Sequence, residues 1–154
     1  MSRRNFVLRT LGAALGLAAL PVARGQTSPR MVGFLRSTSA EGCEDIVAAF
    51  RKGLGEAGFV DGRDVVIEFR WAENQLERLP ALAADLVGKR AAVIVTNAGA
   101  AKSAKAATTT TPIVFVVGED PIRMGLVTDL ARPGGNLTGV AFLDTELAAK
   151  RLGC

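Results

Sequence analysis

The residues able to do chemistry are few in this 154-residue chain, and they cluster just after apolar runs. Glu119 and Asp120 precede Pro121 and follow the run Ile113–Val117. A carboxylate there can receive an ammonium or hydroxyl group of a ligand, or it can cap a rigid proline turn. Reading the two as general acid and base is the weaker use, because adjacent side chains diverge and no nucleophile accompanies them. Ser37, Thr38 and Ser39 follow the run Met31–Leu35. Thr96, Asn97, Ala98, Gly99 and Ala100 follow another, which starts at Ala91. Hydroxyls and free backbone N–H groups at a strand-to-helix junction suit a carboxylate or a phosphate. The same residue types also serve as ordinary helix caps.

Other chemistries are closed off. The chain has no His, which excludes Ser-His-Asp and Cys-His catalysis and His-based metal sites within it. Its two cysteines, Cys43 and Cys154, have no metal-ligand spacing. No cofactor or metal is expected. The run Gly53-Leu54-Gly55-Glu56-Ala57-Gly58 matches the letters of a dinucleotide fingerprint. The fingerprint requires the glycines between a strand and a helix start. Here they close a helical pattern, so helix termination is the expected role.

The elements that must position these groups alternate regularly. Strands are expected over Met31–Leu35, Val65–Trp71, Ala91–Thr96, Ile113–Val117 and Leu137–Phe142. The alternation within Val65–Trp71 predicts a half-exposed strand near an edge. Helical spacing links Ile46, Val47, Phe50, Leu54 and Ala57, with Gly58 as the stop. It also links Leu76, Leu79, Leu82, Ala83, Leu86 and Val87, with Pro80 in the first turn. Shorter helices are expected over Ala100–Ala107 and Met124–Leu130, and a last one from Asp144 to Leu152. The fold class is therefore α/β, an open parallel sheet with helices on both faces. Ligands of such sheets bind beyond the carboxyl ends of the strands. That edge collects the loops at residues 36–42, 97–100 and 118–121, and gives Ser37, Thr38, Thr96, Asn97, Ala98 and Asp120 as ligand-binding candidates.

Residues 1–25 read as a signal peptide. Arg3, Arg4 and Arg9 precede the short apolar run Leu11–Leu20, and Ala23-Arg24-Gly25 offers a cleavage site. A membrane-spanning helix needs about 20 apolar residues. Ser2-Arg3-Arg4-Asn5-Phe6-Val7-Leu8 resembles the twin-arginine consensus, with the general secretory route as the alternative. Four of the 19 Lys+Arg lie in this segment and none of the 15 Asp+Glu, so the remainder is balanced in charge. The net charge of +4 thus belongs to the signal, and no basic surface for nucleic acid is expected. The expected location is periplasmic. Roughly 130 residues remain, enough for one domain with a core.

Several segments carry a family resemblance. They are Met31–Leu35, the stretch AAFRKGL at 48–54, GFVDGRDVVIEFRWAE at 58–73, RLPALAADLV at 78–87, AATTTTPIVFVVGED at 106–120, RPGGNLTG at 132–139 and ELAAKRL at 146–152. With them the chain resembles ABC-transporter substrate-binding proteins of the tryptophan/tyrosine type, which have the type I periplasmic binding fold. The resemblance implies a solute receptor, not an enzyme. It implies two α/β lobes that close on a small molecule, an amino acid among the possibilities, and a membrane permease as partner. It also implies a protein of roughly twice this length. On that reading residues 26–143 form lobe one, residues 144–154 begin the helix toward a missing second lobe, and the chain is truncated. The alternatives are a small exported α/β enzyme using Glu119 or Asp120, and a nonfunctional fragment.

Overall fold

A computed structural model describes residues 28–131 and 133–142. The signal expected at 1–25, the helix expected from Asp144 and Cys154 lie outside the described residues. The elements are β1 (Arg30–Arg36), α1 (Glu44–Glu56), β2 (Val65–Trp71), α2 (Leu79–Gly88), β3 (Val93–Asn97), α3 (Ala98–Ala107), β4 (Ile113–Val117) and β5 (Leu137–Ala141). A single 3₁₀ turn, Leu76–Arg78, leads into α2. The five strands form one parallel sheet in the order β2-β1-β3-β4-β5. β2 is at an edge, as its alternating pattern predicts.

Neighbouring residues of β1 show how the two faces are used, because successive side chains of a strand point to opposite sides. The Phe34 ring lies 5.2 Å from that of Phe50 in α1. Gly33 faces α2, where a Cβ in its place would sit 3.0 Å from Leu86 Cδ1. Its missing side chain lets α2 come close to the sheet. Helix α1 thus lies over one face, and α2 with α3 over the other. The main core is on the second face, where Leu35, Leu79, Leu86, Ile94, Ala101 and Ile113 are at most 2% exposed.

Helices α1 and α2 end in the same way. After α1, Phe59 N–H donates to Leu54 O and Gly58 N–H to Gly55 O, with Gly58 at φ 86°. After α2, Ala91 N–H donates to Leu86 O and Arg90 N–H to Val87 O, with Arg90 at φ 61°. Both are Schellman closures, which put one residue in the left-handed region. The glycine run at 53–58 therefore ends a helix, as its position predicts.

Two expectations change. Ala98 and Gly99 belong to the first turn of α3 and not to a loop. The segment 124–130 is a series of turns and bends instead of a helix: Gly125 at φ 71° breaks the helical path. Leu126 and Val127 are buried all the same, which explains the helix-like apolar spacing. Exposed Lys105 donates from Nζ to the carbonyls of Gly125 (2.7 Å) and Leu126 (3.1 Å) and so ties α3 to these turns.

The threonine run also has a structural use. Thr108 Oγ1 accepts from the N–H groups of Thr110 and Thr111. Asn136 Nδ2 donates to the carbonyls of Thr108 and Thr111, which fixes the turn before β5.

Candidate functional site

The sheet register brings the carboxyl ends of three strands side by side. Leu35 of β1 pairs with Thr96 of β3, and Asn97 pairs with Val116 of β4. The loops after these strands therefore share one edge. The Ser37 N–H donates to Asn97 Oδ1 at 3.1 Å, and Asn97 Nδ2 donates to Ser37 Oγ at 2.9 Å. This two-point bridge joins residues 60 apart in sequence. Asn97 also stands at the N-cap of α3 but makes no side-chain capping bond. Its amide is committed to β1, so the first N–H groups of α3 have neither an intrahelical partner nor a side-chain cap from this residue. Capping, the simpler use of Asn97, is not what its side chain does.

Gly99 is part of the same arrangement. A Cβ at this position would overlap Ser37 Oγ and lie 2.8 Å from Ser37 Cβ. Only glycine lets the first turn of α3 pass this close to Ser37. Sequence reasoning placed Gly99 in this junction but not among the site residues, and its signal was a glycine inside the first turn of a helix, where glycine is otherwise disfavoured.

The other expected site residues are placed less centrally. Thr96 is 3% exposed, and its Oγ1 donates to the Asn97 carbonyl at 3.3 Å. It supports the bridge from beneath. Ala98 is half-buried at the start of α3. The Thr38 hydroxyl is 3.7 Å from the sulfur of buried Cys43. Asp120 Oδ1 accepts from the Ile122 N–H at 2.8 Å, closing a tight turn over buried Pro121. Among the described residues no hydrogen bond joins Asp120 or the Thr38 side chain to the Ser37–Asn97 pair. The structure therefore unites Ser37, Asn97 and, through the backbone, Thr96 and Ala98. Thr38 and Asp120 flank them.

Arg36, also passed over, ends β1 on the side of α1. It lines a cavity of about 190 Å³ whose walls include Phe34, Ile46, Phe50, Val95 and Val116.

The family described as ABC transporter substrate binding protein matches residues 32–153. This chain belongs to that family. The tyrosine-binding protein of Clostridioides difficile (strain R20291) is 32% identical over 93 residues, covering 60% of this chain and 27% of the relative. A structure from Streptococcus pneumonia in complex with L-Trp is 31% identical with a TM-score of 0.67, covering 74% of this chain and 39% of that one. The ligand-free, open structure of a substrate-binding protein with adhesive properties from Clostridium difficile is 26% identical with a TM-score of 0.69. It covers 80% of this chain and 43% of that one. The chain thus spans about a quarter of the curated relative's length and about two fifths of each solved neighbour. Both the parallel α/β lobe and the family expected from the sequence are those found.

Proposed function

We propose that this chain supplies one wall of the solute-binding cleft of an exported receptor that serves an ABC importer. The observation that carries the reading is the Ser37–Asn97 bridge beside the uncapped start of α3, at the edge where open parallel sheets hold ligands. Membership of a substrate-binding family supports it. The solute is a small molecule with a carboxylate, and an amino acid is the first candidate. One relative is named for tyrosine binding, and one neighbour is a complex with L-Trp.

In this reading the carboxylate lies against the Ser37 and Thr38 hydroxyls and the N–H groups at Ala98 and Gly99. Asn97 holds the two strand ends in register, and buried Thr96 keeps Asn97 in place. The second carboxylate oxygen of Asp120 receives an ammonium group. The chain acts without chemistry on its solute. The opposite wall comes from the part of the family beyond the matched region, and a membrane permease is the partner of the closed form.

Binding is tested by titrating L-tyrosine, L-tryptophan and the other amino acids into the isotope-labelled chain, which detects millimolar affinity. Saturable shifts at Ser37, Ala98 and Gly99 are expected, weakened at least tenfold by Asn97→Ala. Absence of any saturable response overturns the reading. Export is tested separately by replacing Arg3 and Arg4 with lysine. Loss of export supports the twin-arginine route, and unchanged export assigns the general secretory one.

A further inference from the structure

Three non-glycine residues among those described have a positive φ, and they use it differently. Arg90 closes its own helix. Glu73 (φ 55°) and Asn74 (φ 61°) stand side by side just beyond β2. The Gln75 N–H donates to Ala72 O at 2.9 Å, which completes the pattern of a type I′ turn. Such turns favour Gly, Asn and Asp at their central positions, so Asn74 suits its place and Glu73 does not. A left-handed conformation at a residue like Glu73 persists only where the surrounding contacts dictate it.

Those contacts lie on the edge assigned above to the solute. The paired register of β1 and β2 ends at Arg36 with Trp71. Beyond it, the N–H groups of Ala72, Glu73 and Asn74 donate to the carbonyls of Arg36 (2.9 Å), Thr38 (3.2 Å) and Ser37 (2.8 Å). A right-handed turn would point these N–H groups in other directions. Ser37 is thereby held from both sides: its N–H donates to Asn97 Oδ1, and its carbonyl accepts from Asn74. Its Oγ accepts from Asn97 Nδ2, so its own hydroxyl proton is left for another acceptor. Where that proton can be delivered depends on where the main chain of residues 36–38 is fixed.

We propose that Glu73 and Asn74 are positioning residues for this edge: their left-handed turn latches the main chain of Ser37 and Thr38, and so sets where the Ser37 hydroxyl meets a solute carboxylate. The proposal deepens the function above and rests on its reading of the edge. Both residues are exposed, and they act through their backbone N–H groups. The latch is closed without a solute, so this wall is ordered on folding and not on binding. A wall ordered beforehand loses less freedom when the solute arrives.

The test titrates L-tyrosine into the isotope-labelled chain and its variants Asn74→Gly and Asn74→Val, and follows exchange of the Ser37 amide without solute. Glycine adopts the left-handed region freely, whereas a β-branched residue resists it. Asn74→Gly should keep both the affinity and the slow Ser37 exchange. Asn74→Val should weaken L-tyrosine roughly tenfold or more and speed Ser37 exchange by a similar factor, because the latch opens locally. A turn with only a structural role would lower the melting temperature of Asn74→Val and leave both readings of the folded chain as they were. Equal affinity in the two variants overturns the proposal, and so does unchanged Ser37 exchange. Should Asn74→Val fail to fold, the milder Asn74→Ala is read in the same way. If L-tyrosine binds all the chains alike, the receptor reading stands and the latch fails. If no amino acid binds the parent chain, the receptor reading fails and Ser37 exchange alone decides the latch: faster exchange in Asn74→Val sustains it, and unchanged exchange overturns it.

Discussion

The two faces of the sheet are built to different standards. On the face of α2 and α3, Leu79, Ala83 and Leu86 of α2 and Ala100, Ala101 and Ala104 of α3 are almost free of solvent contact. The alanines allow the two helices to lie close together and close to the strands. On the other face, α1 contains no buried residue, and Ile46 keeps 43% of its surface. What packing exists there is aromatic: Phe34 touches Phe50, Phe69 and Trp71, with ring centroids 5.2–5.9 Å apart. Beyond this cluster Val116, Val140 and Phe142 remain 42–54% exposed. One face supplies the stability of the lobe. The other leaves apolar side chains in contact with water, the feature of a face that meets something else.

Substitutions can break or sharpen this contrast. The largest expected effect is at Leu86. Leu86→Ala should cost about 2–5 kcal/mol in urea unfolding, because it empties a fully buried position. Ile46→Ala on α1 should cost less than about 1 kcal/mol, since much of that side chain is already in water. Equal costs would mean that the faces are equally packed.

Next comes Gly99→Ala, at the edge that both faces share. The new methyl group collides with Ser37 and should cost about 1–3 kcal/mol. It should also separate Ser37 from Asn97, visible as loss of the protected Ser37 amide in hydrogen exchange. A neutral result would show that the strand ends have slack.

A smaller gain is expected on the covered face. Arg90 occupies the left-handed position that glycine fills after α1. Arg90→Gly should stabilise by about 0.5–1 kcal/mol in the same unfolding experiment. The matching change Gly58→Ala should destabilise.

The smallest effects are ionic. Hydrogen bonds from Arg70 and Lys89 hold the Glu68 carboxyl below its ordinary range, and Arg63 with the Val60 N–H does the same for Asp64. A lowered carboxyl pKa means that the folded state binds the proton less readily than the unfolded one. The stabilisation is therefore present above the usual carboxylate range, about pH 4, and is lost as pH falls through the lowered values. Both groups are partly exposed, so added salt should weaken the effect. Carboxyl carbon shifts read against pH check this directly, and Arg70→Gln should return Glu68 toward its ordinary titration.

Much of the frame was legible in the sequence because its signals are local. The alternation in Val65–Trp71 gave an edge strand, Pro80 marked the first turn of α2, and Gly58 marked the end of α1. The segment 124–130 was misread because Leu126 and Val127 are buried by neighbouring elements and not by a helical face of their own. At the candidate site the residue types pointed to one edge of the sheet, but not to their partners. Asn97 was suited to cap a helix, the simpler use, as well as to bind a ligand, and it instead bridges to a strand end 60 residues away.

The sequence by itself determined the element types, the parallel α/β class, the absence of histidine chemistry and the even charge beyond the first 25 residues. Each of these depends on composition or on residues within a few positions of one another. Only the tertiary structure decided the strand order, the unequal covering of the two faces and the closeness of Gly99 to Ser37. These depend on which distant segments fold against each other, which no pattern within a few residues of sequence specifies.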